Sequence, residues 1–156
     1  MREVFRIEPV AGRDCDDCVR LLVAQLREHG IDTPEDAVRR VVEGALADPR
    51  WGRLLIARSE GVAIGVAYLS FVWSLEHGGL AAWLEELYVV PERREGGASA
   101  ALLHAVKGLC RSHGCAAIDL EVEESHARAC ALYEREGFER RSRSRWVRKI
   151  GRDSAP

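Results

Sequence analysis

The chain has 156 residues, of which 47% are hydrophobic and 31% are charged, and its formal net charge is −2. This length and composition predict a single folded domain over residues 1–150 and a short tail over residues 151–156. No apolar run approaches the roughly 20 residues of a membrane span, and the slight negative charge argues against general nucleic-acid binding.

The compartment and the cysteines are predicted from the same totals. The first ten residues lack the layout of a signal peptide, so we expect a cytoplasmic protein. The five cysteines are an odd number, and none has the spacing of a metal finger. Free thiols are therefore expected, with neither a metal site nor a disulfide.

The first half of the chain predicts a strand, two helices and a hairpin. Residues 4–9 alternate as a strand does, and residues 14–28 and 33–47 carry apolar side chains at helical spacing behind acidic first turns. Two apolar runs, 53–58 and 62–71, are joined by a short glycine-containing turn, which predicts the hairpin. The stripe of the first helix consists of Cys18, Leu21, Leu22, Gln25 and Leu26.

The central stretch, residues 80–111, predicts a strand, a glycine turn and a helix. Residues 83–90 are rich in β-branched, aromatic and leucine side chains, and Pro91 ends the strand. A charged turn with two glycines follows, and then apolar residues recur at helical spacing. Free backbone N–H groups and the positive end of the helix meet at such a turn, which is typical of an anion site. Arg94 adds a charge beside it.

The last part of the chain predicts a strand over 116–122, a helix over 125–136 that ends at Gly137, and a final hairpin over 138–150. In that hairpin the arginines would lie on the solvent face. The full order of elements is that of an α+β protein with a mixed sheet covered on both faces.

Two motifs resemble those of the GNAT superfamily of N-acetyltransferases. Leu87-Tyr88-Val89-x-Pro91-x-x-Arg94-x-x-Gly97-x-Ser99 resembles its acetyl-CoA signature, although Ser99 replaces the usual Gly or Ala and Glu95 introduces an acid. His126-x-x-Ala129-x-x-Leu132-Tyr133-Glu134-x-x-Gly137-Phe138 is similar to the family's second pattern, in which Asn stands at the position of His126. The resemblance covers residues 80–138.

The resemblance implies a fold and a cofactor site. The fold is a mixed, mostly antiparallel GNAT-like sheet whose fourth and fifth strands splay apart, with helices on both faces. The pantetheine arm of acetyl-CoA would lie in that gap against the backbone of Leu87, Tyr88 and Val89. The pyrophosphate would bind Arg94 and the N–H groups of Glu95, Gly96, Gly97, Ala98, Ser99 and Ala100. His126 would bond the CoA arm, and Tyr133 would protonate the departing CoA thiolate.

The acceptor amine must lose a proton before it attacks, so a base is needed near the fourth strand. Adjacent strand residues point to opposite faces, so only one of Glu85 and Glu86 should face the cleft. Polyamine-type GNAT enzymes carry a glutamate at the position of Glu85, which we therefore rank first. Glu86 and a water chain remain alternatives, and Glu121 and Glu123 could line the same cleft.

These motifs predict an N-acetyltransferase that moves acetyl from acetyl-CoA to an amine by direct attack in a ternary complex. The expected acceptor is a small cationic amine, such as a polyamine, an aminoglycoside-like antibiotic or an amino acid, or else a protein amine. No metal is expected, and a homodimer is left open. The alternative from another class is a non-catalytic module that binds and senses acyl-CoA.

Overall fold

The computed structural model describes residues 4–151, which form two units, residues 4–121 and residues 122–151. A five-stranded sheet in the order β1-β2-β3-β4-β5 organises the first unit. The strands are β1 (Arg6–Pro9), β2 (Gly52–Ser59), β3 (Val62–Ser74), β4 (Gly79–Val89) and β5 (Ala117–Leu120). β1 to β4 pair antiparallel, and β4 pairs parallel with β5, so the predicted mixed, mostly antiparallel sheet is confirmed.

Three helices accompany this sheet. They are α1 (Cys15–Glu28), α2 (Glu35–Ala47) and α3 (Ala98–Ser112), and each lies within two residues of its predicted bounds. Short 3₁₀ turns over Gly12–Asp14 and Pro91–Gly96 lead into α1 and α3. Cys15 and Cys18 lie in α1, and all five cysteines are free thiols.

The helices cover both faces of the sheet, because strand side chains alternate between the faces. On one face α1 and α2 pack against even-numbered strand residues, such as Ile56 and Val66. On the other face α3 supplies fully buried Leu102, Leu103 and Val106. Gly65 fits under α3, since a Cβ there would lie 3.0 Å from a Leu102 methyl carbon. Each face of the central strands is thus buried.

A half-buried ion pair fixes the start of α1 on the sheet. Asp14 accepts a 2.8 Å hydrogen bond from Arg58 of β2 and a 2.9 Å bond from the N–H of Ala11. These bonds, that of Ala11 first, lower the pKa of Asp14 against the opposing effect of burial. Because this contact holds the start of α1 against β2, it helps to set which α1 side chains face β3 and β4.

The second unit contains α4 (Ala127–Arg135) followed by residues 138–151 without helix or strand. The hairpin predicted over residues 138–150 is therefore wrong. Every side chain from 139 to 150 is exposed, and five arginines and a lysine leave no alternating apolar face to bury. No helix within residues 4–151 is long and apolar enough to cross a membrane.

Candidate active site

The pairing of β4 with β5 stops halfway along β4. Residues 81–84 pair with residues 117–120, whereas within residues 4–121 the segment 86–89 pairs only with β3. Alternate backbone N–H and C=O groups of this segment point away from β3. The residues predicted to bond the pantetheine arm, Leu87, Tyr88 and Val89, lie in this unpaired half.

The glycine turn after β4 leads directly into α3. Gly97 has φ +91°, a left-handed conformation that favours glycine, and its carbonyl accepts the first helical bond from the N–H of Ala101 at 3.0 Å. The N–H groups of residues 98–100 therefore point out of the end of the helix. A Cβ on Gly97 would meet no atom within 4 Å, so backbone conformation, not crowding, requires the glycine.

Arg94 links this turn to α1. Its guanidinium bonds both carboxylate oxygens of Glu28 at 2.7 Å, and its Nε donates to the carbonyl of Val89 at 2.9 Å. The guanidinium also lies 5.5 Å from the ring centroid of Tyr88. The charge that the sequence assigned to the pyrophosphate is thus paired with Glu28, and it joins the end of β4 to α1.

A β-bulge separates the two halves of β4. Leu69 of β3 pairs with Leu84, and Tyr68 pairs with Glu86, so Glu85 is an extra residue without a partner position. Glu85 is exposed and its Oε1 accepts a 2.8 Å hydrogen bond from the Ser70 hydroxyl.

Both glutamates lie on the α1 face of the sheet. Ser70 and Tyr68 are two residues apart on β3 and share a face. Glu86 is the register partner of Tyr68, and Glu85 accepts the hydrogen bond of the Ser70 side chain, so both glutamates lie on that face. The expectation that the two glutamates point to opposite faces is therefore wrong. The bulge, which the sequence did not reveal, suspends the alternation at this one position.

Glu86 lies in the less hydrated of the two environments. Its side chain reaches the carboxamide of Gln25 on α1, which is only 6% exposed. Burial, and then the charge of Glu85, raise the pKa of Glu86 to about 7, and the hydrogen bond from Gln25 opposes this rise. Burial and the charge of Glu85 also raise the pKa of neighbouring Tyr68. Glu86 can therefore exchange a proton near neutral pH.

A further row of side chains on this face was missed by the sequence analysis. Ser70, Trp83 and Asp119 are register neighbours across β3, β4 and β5. Asp119 Oδ2 lies 2.8 Å from Nε2 of His77, in the turn between β3 and β4. Strand alternation could have placed Trp83 on the face opposite to Leu84. Its neighbour Asp119 depends on the parallel register of β4 and β5, which no local sequence pattern gives.

The second unit carries the other predicted residues. His126 lies at the N-terminal cap of α4, with Nε2 3.9 Å from Glu123 Oε2. The half-buried Tyr133 ring packs edge-on to Phe138 at 5.6 Å between centroids. Glu123 is exposed, as is Glu121, the last residue of the first unit. Within residues 4–151, no group of three or more His, Cys, Asp or Glu side chains is arranged to hold a metal ion.

Comparison with known proteins gives the same family at the level of sequence and of fold. A model described as the acetyltransferase (GNAT) family matches residues 17–138. An uncharacterized N-acetyltransferase of Bacillus subtilis (strain 168), YhfO, is 34% identical over 86 residues. That match covers 55% of this chain and 58% of YhfO, which is less than two thirds of the relative.

Two solved structures share the fold over nearly the whole chain. The integron cassette protein HFX_CASS3, from the mobile metagenome of Cole Harbour Salt Marsh, is 28% identical with a TM-score of 0.82, over 93% of this chain and 90% of that one. The aminoglycoside N-acetyltransferase AAC(6')-Iy, solved in complex with CoA, is 23% identical with a TM-score of 0.81, over 94% and 95%. At that identity the second likeness concerns the fold alone.

Proposed function

Because the chain belongs to the acetyltransferase (GNAT) family, whose enzymes use acetyl-CoA, we propose that it transfers an acetyl group from acetyl-CoA to an amine. One observation carries the proposal: within residues 4–121, β4 loses its β5 partner beyond a bulge, and the half-buried Glu86 lies beside this unpaired edge, where burial raises its pKa to about 7. A general base benefits from a pKa near neutral pH, whereas a carboxylate with no chemical role has no need of a poorly hydrated environment.

The residues around the unpaired half of β4 and the start of α3 fit the co-substrate. The unpaired edge of Leu87, Tyr88 and Val89 offers backbone groups to the amide-rich pantetheine arm, as an added strand would. The open N-terminal end of α3, with residues 98–100 behind the left-handed Gly97, suits the pyrophosphate. We propose that Glu95 and Gly96 border the same anion, and that His126 bonds the CoA arm.

The proposed reaction is a direct transfer. The amine nitrogen attacks the thioester carbonyl carbon, so an N–C bond forms as the C–S bond breaks. The proton lost by the amine passes to Glu86, and Tyr133 gives a proton to the departing thiolate. Glu86 is our preferred base, because its pKa matches this task; Glu85, the choice made from sequence, stays the alternative.

The charge of the α1 face favours a cationic acceptor. Glu85, Glu86 and Asp119 lie on this face, and Trp83 lies in register with Asp119. Carboxylates attract an ammonium group, and an aromatic ring packs against its carbon chain or the cation itself. We therefore propose a small cationic amine, in the class of polyamines, aminoglycosides or amino acids, with a protein amine as the second choice.

The test is release of CoA thiol from acetyl-CoA with a panel of these amines. We expect turnover with at least one of them, and a loss of roughly a hundredfold or more at pH 7 for Glu86→Gln. That loss should shrink at high pH, where the acceptor is already neutral, and Glu85→Gln should cost much less. If the chain binds acetyl-CoA but turns over no amine, it is the acyl-CoA-binding module instead.

A further inference from the structure

Gln25 is a polar residue in the apolar stripe of α1. It is 6% exposed, whereas Cys18, Leu21 and Leu22 of the same stripe are 0%, 0% and 4% exposed. Its amide N–H donates to the Glu86 carboxylate, while its Oε1 is buried and makes no hydrogen bond within residues 4–151. A buried acceptor without a partner has lost its water and gained nothing in return, which destabilises the fold. We therefore expect this oxygen to accept a hydrogen bond in another protonation state of the site.

We propose that Gln25 is a positioning residue for the proton-accepting step: its N–H holds the ionised Glu86 carboxylate, and its Oε1 accepts the O–H that Glu86 gains from the acceptor. The inference rests on the proposed function. A carboxylic acid and a primary amide are both planar, and each offers one donor beside one acceptor. They can therefore pair through two hydrogen bonds, one of which exists only while Glu86 carries the proton.

The other groups near Glu86 do not replace this role. The titratable groups that face it within residues 4–121 are Glu85 on its own strand and Tyr68 on β3. Glu85 is charged like Glu86, and its Oε1 already accepts the bond from Ser70. Glu85 therefore favours protonation of Glu86 without orienting the acid. The carboxamide of Gln25 is the group that α1 adds, and it can bond Glu86 before and after proton transfer.

The kinetic test is a double-mutant cycle with Gln25→Met, which keeps the side-chain volume and removes both polar groups. We expect turnover to fall tenfold or more in the wild-type background and less than twofold in a Glu86→Gln background, because Gln25 acts through Glu86. Leu22→Met, on the same helix face, is the matched control and should keep wild-type activity. Equal losses in both backgrounds would mean a packing role and would overturn the proposal.

The pairing is also tested without turnover, by infrared difference spectra between pH 5 and pH 9. The C=O band of protonated Glu86 is identified by its absence in Glu86→Gln. It should move to higher frequency in Gln25→Met, because the acid loses its hydrogen-bond partner. A band that does not move overturns the inference, even in an active enzyme. A band that moves in a chain that transfers no acetyl group keeps the pairing and refutes the proposed function.

Discussion

Replacing Glu86 with glutamine should stabilise the protein at alkaline pH, because the folded chain holds this carboxyl in a poorly hydrated place. The pKa of Glu86 is raised in the folded state, so between its unfolded and folded values the folded chain binds the proton more tightly. Stability therefore falls as the pH rises through this range. The cost is absent below the unfolded value and complete above the folded one.

The size of this cost follows from the two pKa values. The rise from the ordinary value of 4.5 to about 7 corresponds to about 3 kcal/mol, at 1.36 kcal/mol per pKa unit. Partial exposure to water lowers this ceiling, so we expect about 2 kcal/mol for Glu86→Gln above pH 8. Glutamine retains an acceptor and a donor for Gln25, so that contact is kept. A gain of this size should raise the melting temperature by about 4–8 °C.

The measurement is urea denaturation of the wild type and the variant at pH 5 and pH 9. The free energies of unfolding should differ by less than about 1 kcal/mol at pH 5 and by about 2 kcal/mol at pH 9. Glu43→Gln, an exposed carboxylate on α2, is the control and should change stability by less than about 0.5 kcal/mol at either pH. A Glu86→Gln difference that is equal at both values, or absent from both, would refute the reasoning.

Three more predictions concern the cofactor side. Tyr133→Phe should lower turnover at least tenfold with CoA affinity unchanged and about 1 kcal/mol lost in stability, measured by kinetics, a CoA titration and a melting curve; wild-type turnover would remove Tyr133 from the mechanism. Gly97→Val should strain the left-handed turn and weaken CoA binding in calorimetry, whereas Gly108→Ala in α3 should not. Glu28→Gln should free Arg94 and tighten CoA binding severalfold at low salt; weaker binding would show that the ion pair positions the turn.

The sequence predicted the elements of the first unit because their signals are local. Pro91, the glycine turn and the helical spacing after Gly97 each act within a few residues, and the strand, turn and helix follow where expected. The position of Gln25 on the inner stripe of α1 was also predicted. Its partner was not, because a register shift in β4 and the packing of α1 on that strand are contacts between distant parts of the chain.

The prediction of the final hairpin was wrong because strand formation also depends on contacts beyond the local sequence. Residues 138–150 have a composition that permits strands, yet a strand needs a partner with an apolar face, and after Phe138 this stretch offers only Trp146, Val147 and Ile150 among its charges. The prediction of Glu85 as the base rested on a family position and on strict alternation. The bulge removed the second of these grounds, since both glutamates occupy one face.

The bulge also identifies Glu85 as a residue of β4 that the pairing with β3 does not require. Deleting Glu85 would bring Leu84 and Glu86 into consecutive register with Leu69 and Tyr68, and every other side chain of the strand would keep its face. Folding alone would be served by a strand one residue shorter. The additional residue interrupts the hydrogen-bond ladder and so weakens the sheet. It also places a second negative charge beside Glu86, which raises the pKa of that carboxyl. Deletion of Glu85 would therefore separate the stability of the sheet from the pKa of Glu86: the strand pairing would remain, and the pKa of Glu86 would fall.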